Sequence, residues 1–299
     1  APADWTDSIL ESFLTQAPQL RRLVLRHVAP HATAMFLVPL VAFSRLPASE
    51  LVHLHLALHA RTDPQRSVEW LQAISHLHLR SLCLDYAAQL TLVDIMSSLN
   101  GEGHMASTLA SLTIHGCHGV CDDAIEDLTS SFSRLEQVRF FPDSWREVGT
   151  VTPRGLQHLV SNLPLLRGFA ISSRNPVMDA NEVIFDGSGP LLRSLSLFSP
   201  LSNTALTAQR CMAWRCLSYL WLGPHKLMQR GIGAECQISD SGLEVVVQNC
   251  ALLQDLTVAS FHLTNAAVCS CVSRCLQLRR LRLGGGGITD DCFAMIKAV

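Results

Sequence analysis

A short phrase of alternating leucines recurs ten times along the 299 residues of this chain. The phrase is Leu-x-x-Leu-x-Leu or a close variant. Alternation of apolar residues over so short a stretch predicts a β-strand with one buried face. A strand that returns every 25 to 36 residues predicts a solenoid in which each repeat adds one strand and one helix. The copies begin at residues 20, 51, 79, 109, 135, 166, 192, 217, 253 and 278.

A second phrase lies between the strands and predicts where the helices begin. It consists of an apolar residue, Ser or Thr, three variable residues and another apolar residue. A hydroxyl at this point caps the free amides of the first helical turn, and Asp in that turn interacts favourably with the helix dipole. The copies are LTLVDI at 90, VTPRGL at 151, LSNTAL at 201, ISDSGL at 238, LTNAAV at 263 and ITDDCF at 288, with VCDDAI at 120 as a variant.

These repeats resemble those of a known family. The segments ISDSGLEVVVQNCALLQDLTV and LTNAAVCSCVSRCLQLRRLRL are similar to the cysteine-containing leucine-rich repeats of F-box/LRR and Amn1-like proteins, a branch shaped like ribonuclease inhibitor. Cys250 and Cys275 occupy the position that names the subtype, three residues before the next strand phrase. The resemblance implies an α/β leucine-rich-repeat horseshoe of about ten repeats, with a concave parallel sheet and convex helices. It also implies protein recognition, specifically substrate reception for a cullin-RING (SCF-type) ubiquitin ligase.

Composition and charge limit the other classes of function. A hydrophobic content of 48% in a chain of this length is enough for a large core, and we expect one domain over residues 1–299. Lys and Arg total 23 against 25 Asp and Glu, so no overall charge attracts nucleic acid or an anionic membrane. The longest apolar run, residues 34–43, contains a proline and is about half of the roughly 20 residues that a membrane span needs. We therefore expect no nucleic-acid, membrane or small-molecule partner.

The cysteines and the chain ends lead to two further expectations. Eleven cysteines form none of the spacing frameworks of secreted domains, which favours a reducing compartment, the cytoplasm or the nucleus. A helix-start phrase at residues 5–10 has no strand before it, and the last helical pattern stops at Val299. We expect the chain to be a fragment that is cut within repeats at both ends.

The glycine run in LRLGGGGITDD, residues 281–291, raises the question of a phosphate-binding loop. A P-loop needs Lys and Ser or Thr directly after its last glycine, and a dinucleotide fingerprint needs G-x-G-x-x-G. Here Asp290 and Asp291 would repel phosphate. The run instead predicts an ordinary turn between strand and helix, with Thr289 as the helix cap.

Three groups of cysteine and histidine are candidate metal or catalytic sites. HGCHGVC at 115–121 combines thiols and imidazoles, which suit zinc, but lacks a second ligand pair at conventional spacing. CSCVSRC at 269–275 lies on a predicted helix without a histidine beside it. His53 and His55 share one face of a predicted strand. Packing or surface exposure accounts for each group, so we predict no metal, no cofactor and no catalytic residue. With no acid, base and nucleophile aligned on one face, we expect no enzyme.

The outward strand positions carry the candidate partner site. The third, fifth and seventh residues of each phrase face away from the leucines, across the concave sheet. Aromatic residues fall at these positions on neighbouring strands, and exposed Tyr, Trp and Arg dominate protein interfaces. Insertions at 141–150 and 223–236 either cover these aromatics or build a pocket wall with them. The predicted partner-binding residues are Arg139, Phe141, Phe198, Tyr219, Trp221, Lys226, Arg230, Arg280 and Arg282.

Together these features predict a non-catalytic protein-recognition module. Its protein partner is expected on the concave face or at the strand-to-helix loop edge. The alternative is a structural or scaffold subunit of a large assembly. In that case the solenoid is permanently buried, and several apolar patches lie on the convex helices.

Overall fold

The structure is a computed structural model in which most repeats are described at least in part. The description covers residues 12, 16–17, 19–25, 51–57, 64–85, 87, 90–100, 104–141, 151–172, 192–198, 203, 206, 214–223, 236–292 and 294.

Ten parallel strands form one open sheet, and their order in the sheet follows their order in the chain. Every strand begins at the third residue of a leucine phrase, so all ten predicted strands are confirmed. The strands are β1 (Arg22–Leu25), β2 (His53–Ala57), β3 (Ser81–Asp85), β4 (Ser111–His115), β5 (Gln137–Phe141), β6 (Gly168–Ser172), β7 (Ser194–Phe198), β8 (Tyr219–Leu222), β9 (Asp255–Ala259) and β10 (Arg280–Gly284).

Helices connect the strands, and seven of them lie within the described residues. They are α1 (Pro64–Ile74), α2 (Leu92–Leu99), α3 (His104–Thr108), α4 (Asp122–Ser131), α5 (Pro153–Asn162), α6 (Asp240–Asn249) and α7 (Asn265–Arg274). The chain is therefore an α/β leucine-rich-repeat solenoid, as the sequence predicted. None of the described helices combines the length and hydrophobicity that a transmembrane segment requires.

The leucines of the strands form a continuous core with the helices. Leu82 and Leu84 of β3 are fully buried and belong to the same cluster as Leu71 of α1 and Ile95 of α2. Burial of each such side chain contributes about 1.5–3 kcal/mol. Because alternate residues of a strand point to opposite faces, the third, fifth and seventh phrase positions face away from the helices. We call the side of the sheet that faces away from the described helices the concave face.

The glycine run at 284–287 is a turn that joins two repeats. The amide of Gly286 donates to the carbonyl oxygen of Phe261 at 3.0 Å, and that of Gly287 donates to Leu263 at 3.1 Å. These amides therefore pair with the preceding repeat and do not point toward a phosphate. The predicted turn between strand and helix is confirmed.

Hydrogen bonds at the helix starts connect successive repeats. Thr152 caps α5, as predicted, by accepting a hydrogen bond from the amide of Arg154. Its own amide donates to Asp122 Oδ1 of the preceding repeat at 2.8 Å, and its hydroxyl donates to Asp122 Oδ2. The Asp or Asn that follows a capping position thus bonds to the capping residue of the next repeat. The equivalent pairs are Asn203 with Ser239, Asp240 with Thr264, and Asn265 with Thr289.

Removal of one of these links should measurably destabilise the solenoid. We expect Asp122→Ala to lower the free energy of unfolding by about 1–2 kcal/mol, because the Thr152 amide and hydroxyl both lose their acceptor. The matched control is Asp123→Ala, which removes an exposed carboxylate from the same helical turn and should cost about 0.5 kcal/mol through the helix dipole. Urea denaturation of both variants measures the difference. If the two variants lose the same free energy of unfolding, the bonds from Thr152 to Asp122 do not stabilise the junction between the repeats.

Candidate partner-binding surface

A row of rings crosses the concave face from β4 to β8. His115 stacks on Phe141 with ring centroids 4.7 Å apart and an interplanar angle of 20°. The ring centroids of Phe141 and Phe198 are 5.8 Å apart, and those of Phe198 and Trp221 are 5.1 Å apart in a T-shaped arrangement. Such separations are typical of favourable aromatic pairs. The ring row, defined by these four side chains, is therefore continuous.

The ring row crosses one strand that contributes no ring to it. Phe141 lies on β5 and Phe198 on β7, with β6 between them. The pairing of β6 with β7 puts Ser172 opposite Phe198, so the β6 position in line with the two phenylalanines holds a small residue type. The two phenyl rings therefore approach each other across β6.

Phe198 is buried, and this corrects the prediction that its ring is exposed. The exposed fraction of Phe198 is 2%, and the ring lies against both Phe141 and Trp221. Phe141 and Trp221 are only half-buried. The accessible part of the row therefore belongs to Phe141 and Trp221, while Phe198 supports them.

A polar cluster surrounds Tyr219 beside the ring row. Burial raises the pKa of Tyr219, while a hydrogen bond with the Ser196 side chain acts in the opposite direction. The negative charge of Asp255 adds to the rise. The positive charges of Arg139 and Arg282 oppose it. The phenol of Tyr219 therefore stays protonated at neutral pH.

The arginines predicted for the site lie on both sides of this cluster. Arg139 comes from β5 and Arg282 from β10, and both act electrostatically on Tyr219. Arg280 places Nη1 3.3 Å from Asp255 Oδ2, but its side chain remains 68% exposed. An exposed ion pair of this kind contributes little to stability, so the guanidinium remains accessible to a partner.

Two predicted contact residues cannot be placed on this surface. Lys226 and Arg230 lie outside the described residues, as do residues 142–150 and 224–235 of the two insertions. Whether these insertions cover the aromatics or extend the site stays a prediction.

A polar group at the other end of the ring row was missed by the sequence analysis. His55 Nε2 lies 2.6 Å from Asp85 Oδ2, and the Cys83 thiol donates to Asp85 Oδ1 at 3.8 Å. The expectation that no acid, base and nucleophile share one face is therefore wrong for these three side chains. His55 and Asp85 are 30 residues apart, and only the pairing of β2 with β3 brings them together. Comparison of the fifth and seventh positions of adjacent repeats would have found the group.

The cysteines at the end of α7 are packing residues, as predicted. Burial raises the pKa of Cys271 to about 12, and the neighbouring Cys275 adds to the rise. Burial also raises the pKa of Cys275, whose thiol donates to the Cys250 carbonyl oxygen at 3.8 Å. Thiols that stay protonated are poor nucleophiles. None of the ten described cysteines forms a disulfide.

Comparisons with known proteins add a structural likeness only. No family model and no curated protein matches the chain. Among solved structures, the fold is similar to one described as the crystal structure of the Rad7 and Elc1 complex in yeast, with 14% sequence identity and a TM-score of 0.49. The match covers 82% of this chain and 67% of that chain. At this identity and TM-score, the likeness carries no information about partner or function.

Proposed function

We propose that the chain is a non-catalytic protein-recognition module whose partner binds the concave face. The observation that carries this proposal is the convergence of the ring row and the Tyr219 cluster on one side of the sheet. Accessible Trp, Tyr and Arg side chains supply most of the binding energy in protein interfaces. Here Trp221, Tyr219 and Arg282 belong to the same part of the concave face.

The charge of this surface favours a partner segment that carries acidic residues. Among the described residues of this surface, the three arginines Arg139, Arg280 and Arg282 outnumber the acidic side chain, Asp255. A carboxylate forms strong, geometrically specific hydrogen bonds with a guanidinium group. We therefore propose that the partner presents carboxylates to the arginines and an apolar side chain to Trp221.

The resemblance of the repeats to F-box/LRR proteins supports a more specific role. We propose that the module serves, in the cytoplasm or the nucleus, as the substrate receptor of a cullin-RING ubiquitin ligase. Affinity purification of the protein from native extract should then recover cullin and RING subunits together with the concave-face partner. Recovery of the partner without ligase subunits would refute the ligase role and leave the recognition role intact.

The distribution of exposed apolar residues supports recognition over a scaffold role. A permanently buried solenoid is expected to present a contiguous apolar patch on its helices. Within the described residues, Val93 of α2 is the only large apolar residue exposed on a helix. The others lie on β1 or in turns: Val24, Leu165, Leu252, Phe261 and Leu276.

Site-specific photo-crosslinking tests which face the partner occupies. The photoreactive residue p-benzoylphenylalanine replaces Gln137, an exposed concave-face position two residues before Arg139. A matched variant carries it at Val93 on the helical side. We expect the partner from native extract to crosslink at 137 and not at 93. Crosslinking at 93 alone would refute the concave site and favour the scaffold role.

A further inference from the structure

Four side chains of metal-ligand type lie together on the concave face. His55 of β2 and Cys83 and Asp85 of β3 each offer one ligand atom, and these three atoms lie within 4.8 Å of one another. His115 of β4 adds a fourth, with its Nε2 3.8 Å from Asp85 Oδ1. All four residues are half-buried. The group lies at the β4 end of the ring row, whereas Tyr219 lies on β8.

The backbone holds this group in place. The parallel pairing of β2 with β3 puts His55 opposite Cys83. In the pairing of β3 with β4, Asp85 and His115 directly follow the last residue pair. The ring of His115 is also stacked on Phe141, which restricts its rotation. Three consecutive repeats thus present their ligand atoms from a rigid sheet.

We propose that His55, Cys83, Asp85 and His115 bind a zinc ion. A set of one thiolate, two imidazoles and one carboxylate suits zinc, whereas magnesium and calcium prefer oxygen ligands alone. Zinc–ligand bonds of about 2.0–2.3 Å in a tetrahedron place neighbouring ligand atoms about 3.3–3.8 Å apart. With Asp85 Oδ1 as the ligand oxygen, His115 Nε2 and Cys83 Sγ each lie 3.8 Å from it, at the upper end of this range. His55 Nε2 lies 2.6 Å from the other oxygen, Asp85 Oδ2, and side-chain rotation without movement of the strands has to bring it to the same ion.

Zinc binding has a definite proton balance at this site. The ion takes the thiolate of Cys83, whose proton passes to solvent, and it takes the lone pairs of two neutral imidazoles. Affinity for zinc therefore increases with pH while the free thiol is protonated, by about tenfold per pH unit for one released proton.

Cobalt(II) is a suitable probe, because a tetrahedral cobalt ion with a thiolate ligand has a charge-transfer band. The full chain is made metal-free, kept reduced without added thiols and titrated with cobalt. We expect one cobalt ion per chain, displaced by one equivalent of zinc. Cys83→Ser should remove the charge-transfer band, and His55→Gln should weaken binding by at least about tenfold.

Matched controls separate this site from other thiols and imidazoles. His53→Gln alters the exposed histidine two residues earlier on β2, and Cys269→Ser alters a half-buried thiol on α7. Neither should change the titration. Trp221→Ala should also leave it unchanged, because Trp221 lies on β8, four strands away from His115 on β4.

X-ray absorption of the zinc-loaded wild-type chain gives a second measurement that needs no variant. We expect one sulfur and three nitrogen or oxygen ligands around the ion. A shell with two or more sulfurs would overturn the proposal, since the chain contains eleven cysteines that can bind zinc elsewhere. Survival of the charge-transfer band in Cys83→Ser, or the lack of stoichiometric cobalt binding, would overturn it as well.

Discussion

Trp221→Ala is expected to weaken binding of the concave-face partner by about 30- to 1000-fold. The Trp221 indole is a half-buried ring that is fixed against Phe198 and lies next to Tyr219. A preorganised aromatic anchor of this kind loses little conformational entropy on binding. Its truncation at an interface centre costs about 2–4 kcal/mol, and each 1.4 kcal/mol is a factor of ten in affinity. The dissociation constant for the partner that crosslinks at residue 137 measures the effect.

Three further variants make this prediction specific. Tyr219→Phe keeps the ring and removes a hydroxyl that is already hydrogen-bonded with Ser196, so its effect should be small. Val93→Ala alters an exposed apolar side chain on the helical side and should have no effect. Trp221→Phe keeps a ring against Phe198 and should retain part of the affinity. If Trp221→Ala binds within about threefold of the wild type, at a temperature where it is folded, the site assignment is wrong.

The course of the chain could be predicted from the sequence because each repeat buries the same positions. Two leucines of a phrase such as LRSLCL, Leu82 and Leu84, are fully buried against helices, so the period of two defines the strand and its inner face. Capping hydroxyls likewise predicted helix starts, as Thr91 and Thr264 show. These features depend on residues that are close in sequence.

The candidate site could be predicted only in part, because it depends on contacts between repeats. Phe198 is buried although its strand position predicts exposure, and its ring lies against that of Phe141, two strands away across β6. The bond from Thr152 to Asp122 and the grouping of His55 with Asp85 join residues 30 positions apart. A sequence pattern gives the face on which a side chain lies, but the lengths of neighbouring side chains decide which ones meet.

The second large effect is expected for Phe198→Ala, and it concerns stability. The ring is 2% exposed and contacts rings on both sides, so its removal leaves a cavity in the ring row. Truncation of a buried Phe typically costs about 3–5 kcal/mol. The sequence-based hypothesis treated Phe198 as a contact residue, which predicts lost binding with little lost stability. The structure predicts the reverse, namely a large loss of stability and a smaller loss of binding.

Phe141→Ala and Phe198→Leu distinguish these two outcomes. Phe141 is half-buried in the accessible part of the row, so Phe141→Ala should lower the free energy of unfolding less than Phe198→Ala does. Its effect on partner affinity should come from the loss of a direct contact with the partner. Phe198→Leu keeps most of the buried volume, and we expect it to stay within about 1.5 kcal/mol of the wild type. Thermal and urea unfolding, measured beside the dissociation constants, give both quantities for each variant. Wild-type stability in Phe198→Ala with lost affinity would show that the ring contacts the partner directly, since a buried supporting ring cannot be removed without a loss of folding free energy.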